Sequence, residues 1–259
     1  YQVLRLREFL DDYLAHRNQV EACYDFCLKA YHVNAGGWEA LFDGSLDPNH
    51  RPFRSDMRAG LRLGHLRYHG HFRETATRFG IDGLMRRWTS SISLPSFSAL
   101  LTMVREVGLG YALNFSLMRA DEGAQLRVGC FTVERDSLNQ DVCLLTGPTT
   151  KTQPDPDAHW ICSSSVRVAI EALSHVSTLR IRAARHDPHL HLSDDDRSNP
   201  MFMVGFAEPW STGRRSKCLR VPLCNYKTLL AKRAKLFDIE QLRITQADLD
   251  IARAMTLGL

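Results

Sequence analysis

No apolar run in this 259-residue sequence approaches the roughly 20 residues that a membrane-crossing helix needs. The N-terminal stretch YQVLRLREFLDDY has no apolar heart of the kind a signal peptide carries. Both absences lead us to expect a soluble, cytoplasmic protein with no membrane partner. Neither a Walker-type loop nor a Gly-x-Gly-x-x-Gly fingerprint occurs, and Gly108-Leu-Gly110 is too short to stand for one. Nucleotide binding through the common glycine-rich loops is therefore disfavoured. A Gly-x-Ser-x-Gly elbow is missing as well. Ser163, Ser164 and Ser165 read instead as a helix start able to form an anion-binding turn.

The seven cysteines are odd in number, and Cys23-x3-Cys27 and Cys218-x5-Cys224 do not repeat as zinc-ribbon pairs would. Buried free thiols in a reducing compartment are expected. The sequence also lacks internal repeats and low-complexity tracts. With 44% hydrophobic residues it can bury a sizeable core, as one large domain or two modest ones.

Acidic residues are absent from one long stretch. Residues 209–237, PWSTGRRSKCLRVPLCNYKTLLAKRAKLF, hold eight cations and no carboxylate. The net charge of +4 hides an alternation along the chain. Residues 1–50 carry four basic and eight acidic groups, and residues 51–87 carry nine arginines against Asp56, Glu74 and Asp82. Residues 88–208 hold ten basic and fourteen acidic groups, and residues 209–259 hold ten and four. Cations concentrated in this way usually face something of the opposite sign.

Val3, Leu6, Leu10, Tyr13, Val20, Tyr24, Cys27 and Tyr31 follow a three-four spacing, which predicts one long helix or two nearly collinear ones. The narrow seam packs against one partner helix, supplied by the same chain or by a second copy that would make a dimer. Asn34, Gly36 and Gly37 end it. Residues 55–88 read as two helices broken near Gly80 and Gly83. ETATRFGIDGLMRRW has the spacing of a helix-turn-helix start, but Arg86 stands where that motif wants an apolar residue, which favours a plain helical hairpin. Ser93, with Pro95 in the first turn, caps a helix through about Val107, with Ser96 as the alternative cap.

Strands are expected at 111–117, 126–133, 142–145, 178–183 and 201–206, with an edge strand at 219–223 that contains Pro222. A loop is expected at 146–157, and helices at 163–176 and 226–237. Thr245 with Asp248 caps the last helix, which stops at Gly258. The fold class is α+β: a helical region over 1–90, then an α+β region over 91–259 with a small, mostly antiparallel sheet and basic C-terminal helices.

Two histidine groups could hold a divalent metal. In a strand, His189 and His191 would share a face, with His186 or an aspartate of 194–196 completing the site. On a helix, His65 and His69 would share a face, but Leu66 stands where a zincin has its glutamate. The His189-Leu-His191 element resembles the metal-binding pair of the HUH endonucleases, which nick single-stranded DNA with a tyrosine. That resemblance implies a metal-dependent nuclease with Tyr226 as nucleophile. It departs from the family in the three aspartates that follow and in Leu229, where the initiators place a lysine. The segment Ile244-Thr-Gln-Ala-Asp-Leu-Asp-Ile-Ala-Arg-Ala-Met-Thr-Leu-Gly258 resembles the opening helix of a LuxR-type DNA-binding domain. Phe97-Ser-Ala-Leu-Leu and Val107-Gly-Leu-Gly-Tyr111 are similar to the start of that family's sensor domain.

Within 209–237, Tyr226, Leu230, Ala234 and Phe237 fall in one helical arc and Lys227, Lys232 and Lys235 in another. Arg214, Arg215 and Lys217 lie in a basic loop before it, followed by Arg220. These residues suit phosphate contacts, which position a protein on nucleic acid without reading sequence. Trp210 is placed either to stack on a base or to pack. The sequence thus leads us to expect a non-catalytic DNA-binding regulator, or a subunit of a nucleoprotein complex, with 209–237 and 51–87 as its contacts. The alternatives are a metal-dependent hydrolase at His189 and His191, and a protein-protein interaction module using residues 3–31.

Overall fold

The apolar spacing of the first 35 residues resolves into two helices, α1 (Gln2–Ala15) and α2 (Arg17–Ala35), separated at His16. The protein is represented by a computed structural model that describes residues 2–43, 46–149, 155–203, 208–211, 235–237 and 243–256. Leu6, Leu10, Tyr13, Val20, Tyr24 and Cys27 are fully buried. They are covered within the chain: α1 packs on α6 (Leu94–Ser116) and on α8 (Val166–Ala184), and α2 also touches α8. Gly36, at φ 82°, closes α2, and the N–H groups of Gly36 and Gly37 donate to the carbonyls of Val33 and His32. That pairing satisfies the last carbonyls of the helix, as its glycines foretold.

Ser93 caps α6, its hydroxyl accepting the Ser96 N–H at 3.3 Å, with Pro95 in the first turn. The helix then runs to Ser116, taking in all but the last residue of the 111–117 segment that the sequence reads as a strand, and Leu117 is its C-cap. The strand expected at 178–183 likewise lies inside α8. In 178–183 Leu179 and Ile181 alternate with Arg180 and Arg182, the period of a strand, and 111–117 is too short, with polar Asn114 and Ser116 among its apolar residues, for periodicity to separate helix from strand. Gly108 lets the two helices approach, since a Cβ there would sit 2.8 Å from the Leu173 Cγ.

Between α2 and α6 lie α3 (Trp38–Asp43), a short 3-10 turn, a two-residue-per-strand hairpin, α4 (Phe72–Arg78) and α5 (Asp82–Trp88). The hairpin is β1 (Arg62–Leu63) with β2 (Leu66–Arg67). The helices read over 55–88 therefore begin only at Phe72, and they break at Gly80, which holds φ 71°. Beyond α6 come α7 (Ala120–Gly123) and an antiparallel meander of β3 (Phe131–Arg135), β4 (Asp141–Thr149) and β5 (Asp155–Cys162). Along β4, Cys143, Leu145 and Gly147 are buried in alternation, the period of a strand with one face on the core. The chain continues through α8, α9 (Asp194–Ser198) and α10 (Gln246–Thr256). Thr245 caps α10: its hydroxyl and N–H both donate to the Asp248 carboxylate, at 2.6 and 2.8 Å.

The class is α+β, with helices at both ends and a small antiparallel sheet. One hydrophobic cluster takes in Leu6 of α1, Trp88 of α5, Leu145 of β4 and Phe237, so the 1–90 and 91–259 regions share a core. Of the helix expected at 226–237, only 235–237 is described; it forms a turn, with Leu236 and Phe237 buried. The expected strand at 219–223 lies outside the described residues, and Met201 makes an isolated bridge to Arg127. The five described cysteines are free and buried. No helix among the described residues is long and apolar enough to cross a membrane.

Candidate functional site

The sequence Leu61-Arg62-Leu63-Gly64-His65-Leu66-Arg67-Tyr68 alternates about a two-residue turn. Gly64 holds φ 59°, which suits the first central position of a type II′ hairpin turn. The register sets Leu63 opposite Leu66 and Arg62 opposite Arg67. Like charges at directly opposed cross-strand positions are destabilising. Neither arginine has a carboxylate partner among the described residues.

A polar clamp holds the hairpin in place. Asn34, fully buried in the last turn of α2, donates from Nδ2 to the carbonyls of His50 (2.9 Å) and Arg67 (3.0 Å). Its Oδ1 accepts the Arg67 N–H at 2.8 Å. The buried Tyr68 donates its hydroxyl to the Asn49 carbonyl at 2.7 Å. Beneath lies an aromatic floor in which Phe26 meets His69 (4.9 Å) and Phe79 (5.3 Å), with the Arg78 guanidinium 5.0 Å above Phe26. Burial, then Arg78 and Arg67, lowers the His69 pKa below its ordinary value.

The arginines of 51–87 divide into two groups. Arg87 binds Glu8 and Asp12 of the acidic α1, and Arg54 binds Asp56 at 2.5 Å. Arg86 pairs with Asp82 at 2.7 Å. In contrast, Arg51, Arg58, Arg62, Arg67 and Arg73 are exposed, and none has an ion pair among the described residues. Pairing with the acidic segments therefore accounts for part of this block only.

The second basic block touches the first at one described point. Lys235 donates from Nζ to the Arg86 carbonyl at 2.8 Å, at the C-terminal end of α5, where helix carbonyls lack intrahelical partners. Arg5 donates from Nε to the Leu236 carbonyl at 2.9 Å, which ties the same segment to α1. Lys235, Arg73 and Arg86 line a common cavity of about 410 Å³ with Thr89, Ser90, Ser91 and Ile92. Arg214, Arg215, Lys217, Arg220, Lys227, Lys232 and the candidate nucleophile Tyr226 lie outside the described residues.

The histidine candidates take other roles. Residues 189–191 form no strand, so the one-face geometry of His189 and His191 is not built. His186 stacks on Trp38 with 3.9 Å between centroids, and His189 Nε2 lies 3.5 Å from Asp43. Asp195 and Asp196 pair with Arg127. His65 sits in the hairpin turn and His69 beyond β2, so the helical i, i+4 pair does not form either. Among the described residues no group of three His, Cys, Asp or Glu side chains is arranged to hold a metal. Trp210 packs: it is buried against Tyr24 and Tyr31 and donates from Nε1 to the Ser98 hydroxyl at 2.7 Å.

Asn34 reads in the sequence only as a helix terminator, and the individual arginines of the hairpin were submerged in a segment read as helical. The alternation about Gly64-His65 was the signal that could have found them. Comparison with known protein families, with curated proteins and with solved structures gives no match for this chain.

Proposed function

We propose that this protein binds nucleic acid through the arginine face of residues 51–73, extended by the basic residues of 209–237. The observation that carries the proposal is the clamped hairpin that opposes Arg62 to Arg67 with no carboxylate among the described residues to relieve them. Such an arrangement costs stability in the free protein and is relieved by an anionic partner. A two-stranded ribbon is of a size that the DNA major groove admits, and unpaired arginines are the commonest donors to phosphate and guanine. The five unpaired arginines make phosphate contacts the main source of affinity, with modest dependence on base sequence.

The test is a mobility-shift assay with duplex DNA and with single-stranded RNA. Replacing Arg62 and Arg67 together by alanine is expected to weaken binding to all sequences alike by at least about tenfold at moderate salt. Equal affinity of this variant and the wild type would remove the hairpin from the interface.

A further inference from the structure

The cavity between α4, α5 and the Lys235 turn is a different kind of feature from the open hairpin. No carboxylate lines it among the described residues. Its cations come from three separate places in the chain: Arg73 in the first turn of α4, Arg86 in the last turn of α5, and Lys235. Its remaining polar lining is Thr89, Ser90 and Ser91, three hydroxyls within the four residues before the Ser93 cap of the 23-residue α6. The positive end of the α6 dipole adds to the field there.

The charges differ in how far they are already satisfied. Arg86 is held by Asp82 at 2.7 Å, so its charge is largely offset. Arg73 has no carboxylate partner among the described residues, and Lys235 has donated one of its three ammonium hydrogens to a neutral carbonyl. Among the described residues two cationic charges therefore remain to be matched. A phosphodiester carries one negative charge, whereas a phosphate monoester carries about 1.5 to 2 at neutral pH, with three oxygens for hydroxyl and cation donors. A volume of about 410 Å³ also exceeds what a phosphate group alone fills, leaving room for the group that bears it.

We infer that this cavity binds a phosphate monoester. Arg73 and Lys235 neutralise the dianion and the Ser90 and Ser91 hydroxyls donate to its oxygens, while the Thr89 hydroxyl is already directed to the Met85 and Ser91 carbonyls. Two sources share this chemistry: the 5′-terminal phosphate of a nucleic-acid strand and a small phosphorylated molecule. The first rests on the nucleic-acid reading given above, and the second does not.

Anisotropy titrations with one oligodeoxynucleotide, prepared with a 5′-phosphate and with a 5′-hydroxyl, are paired with calorimetric titration of a deoxynucleoside 5′-monophosphate. The 5′-phosphate is expected to tighten binding by about tenfold, the worth of one charge-assisted contact. Arg73→Gln, an exposed substitution whose folding is checked by thermal melting, should abolish that preference. Replacing Arg62 and Arg67 by alanine should weaken both oligonucleotides and leave their ratio intact. Monophosphate binding lost in Arg73→Gln, with neither oligonucleotide bound, would support the cavity as a small-molecule site and remove the nucleic-acid reading. Equal affinity for the two oligonucleotides with no monophosphate binding would overturn the inference and leave the hairpin's role standing. Absence of binding by all three probes would overturn both.

Discussion

A buried asparagine decides where the arginines point. Asn34 makes three hydrogen bonds to the backbone of residues 16 and 33 positions away, and no local pattern in the sequence could announce them. Replacing Asn34 by alanine leaves two carbonyls and one N–H without their partner, and we expect a loss of about 2 to 4 kcal/mol in urea unfolding. His175 is a second residue of this kind. Its Nδ1 shares a hydrogen bond of 2.6 Å with the Tyr13 hydroxyl, and its Nε2 lies 3.5 Å from Glu21. Burial lowers the His175 pKa, partly opposed by Glu21, and burial lowers that of His69 as well. A folded pKa below that of the unfolded chain means that the unfolded state binds more protons between the two values. Stability is therefore present above the unfolded value of about 6.5 and is lost as pH falls through it toward the folded pKa. Melting temperature should drop from about pH 7 to pH 5, and His175→Gln should flatten that slope.

At the scale of elements, the legible parts were those with local chemical signatures. The Ser93 and Thr245 caps and the glycine end of α2 stand where the sequence put them. The α1 and α2 seam was legible from its period. The strands read at 111–117 and 178–183 failed: the first is a short mixed segment, and in the second Leu179 and Ile181 alternate with arginines like a strand although the segment lies inside α8, where Arg180 is buried. The close approach of α6 and α8 was hidden too, because Gly108 inside a helix signals only weakness until Leu173 is seen against it. Gly108→Ala should cost about 1 to 3 kcal/mol, and Leu173→Ala in the same chain should recover part of it, measured as a double-mutant cycle. The hairpin allows a sharper comparison. Arg62→Glu places opposite charges across β1 and β2, so stability should rise by about 0.5 kcal/mol while nucleic-acid affinity falls by at least about tenfold. A binding element and a merely structural one differ in the second of these effects.

For the whole molecule, the alternation of charge along the chain was visible in the sequence, but which cation meets which carboxylate was not. The folded chain pairs Arg87 with the acidic α1 and Arg182 with Glu21 and Asp25 of α2. It buries Arg180 against Glu208, fixing 208–211 beneath α8. Once these pairs form, five exposed arginines of the 51–73 segment are left without a carboxylate partner among the described residues, and Lys235 donates to the carbonyl of the nearby Arg86. That sorting depends on contacts between positions more than 70 residues apart, such as Glu8 with Arg87, which charge counting along the chain cannot resolve. The most direct measurement is the salt dependence of duplex DNA binding, by anisotropy between about 50 and 200 mM salt. A wild-type slope of about −4 in log affinity against log salt is expected, falling to about −2 when Arg62 and Arg67 are both alanine. No binding at the lowest salt, or an affinity indifferent to salt and to those two arginines, would contradict the assignment of the arginine face to nucleic acid.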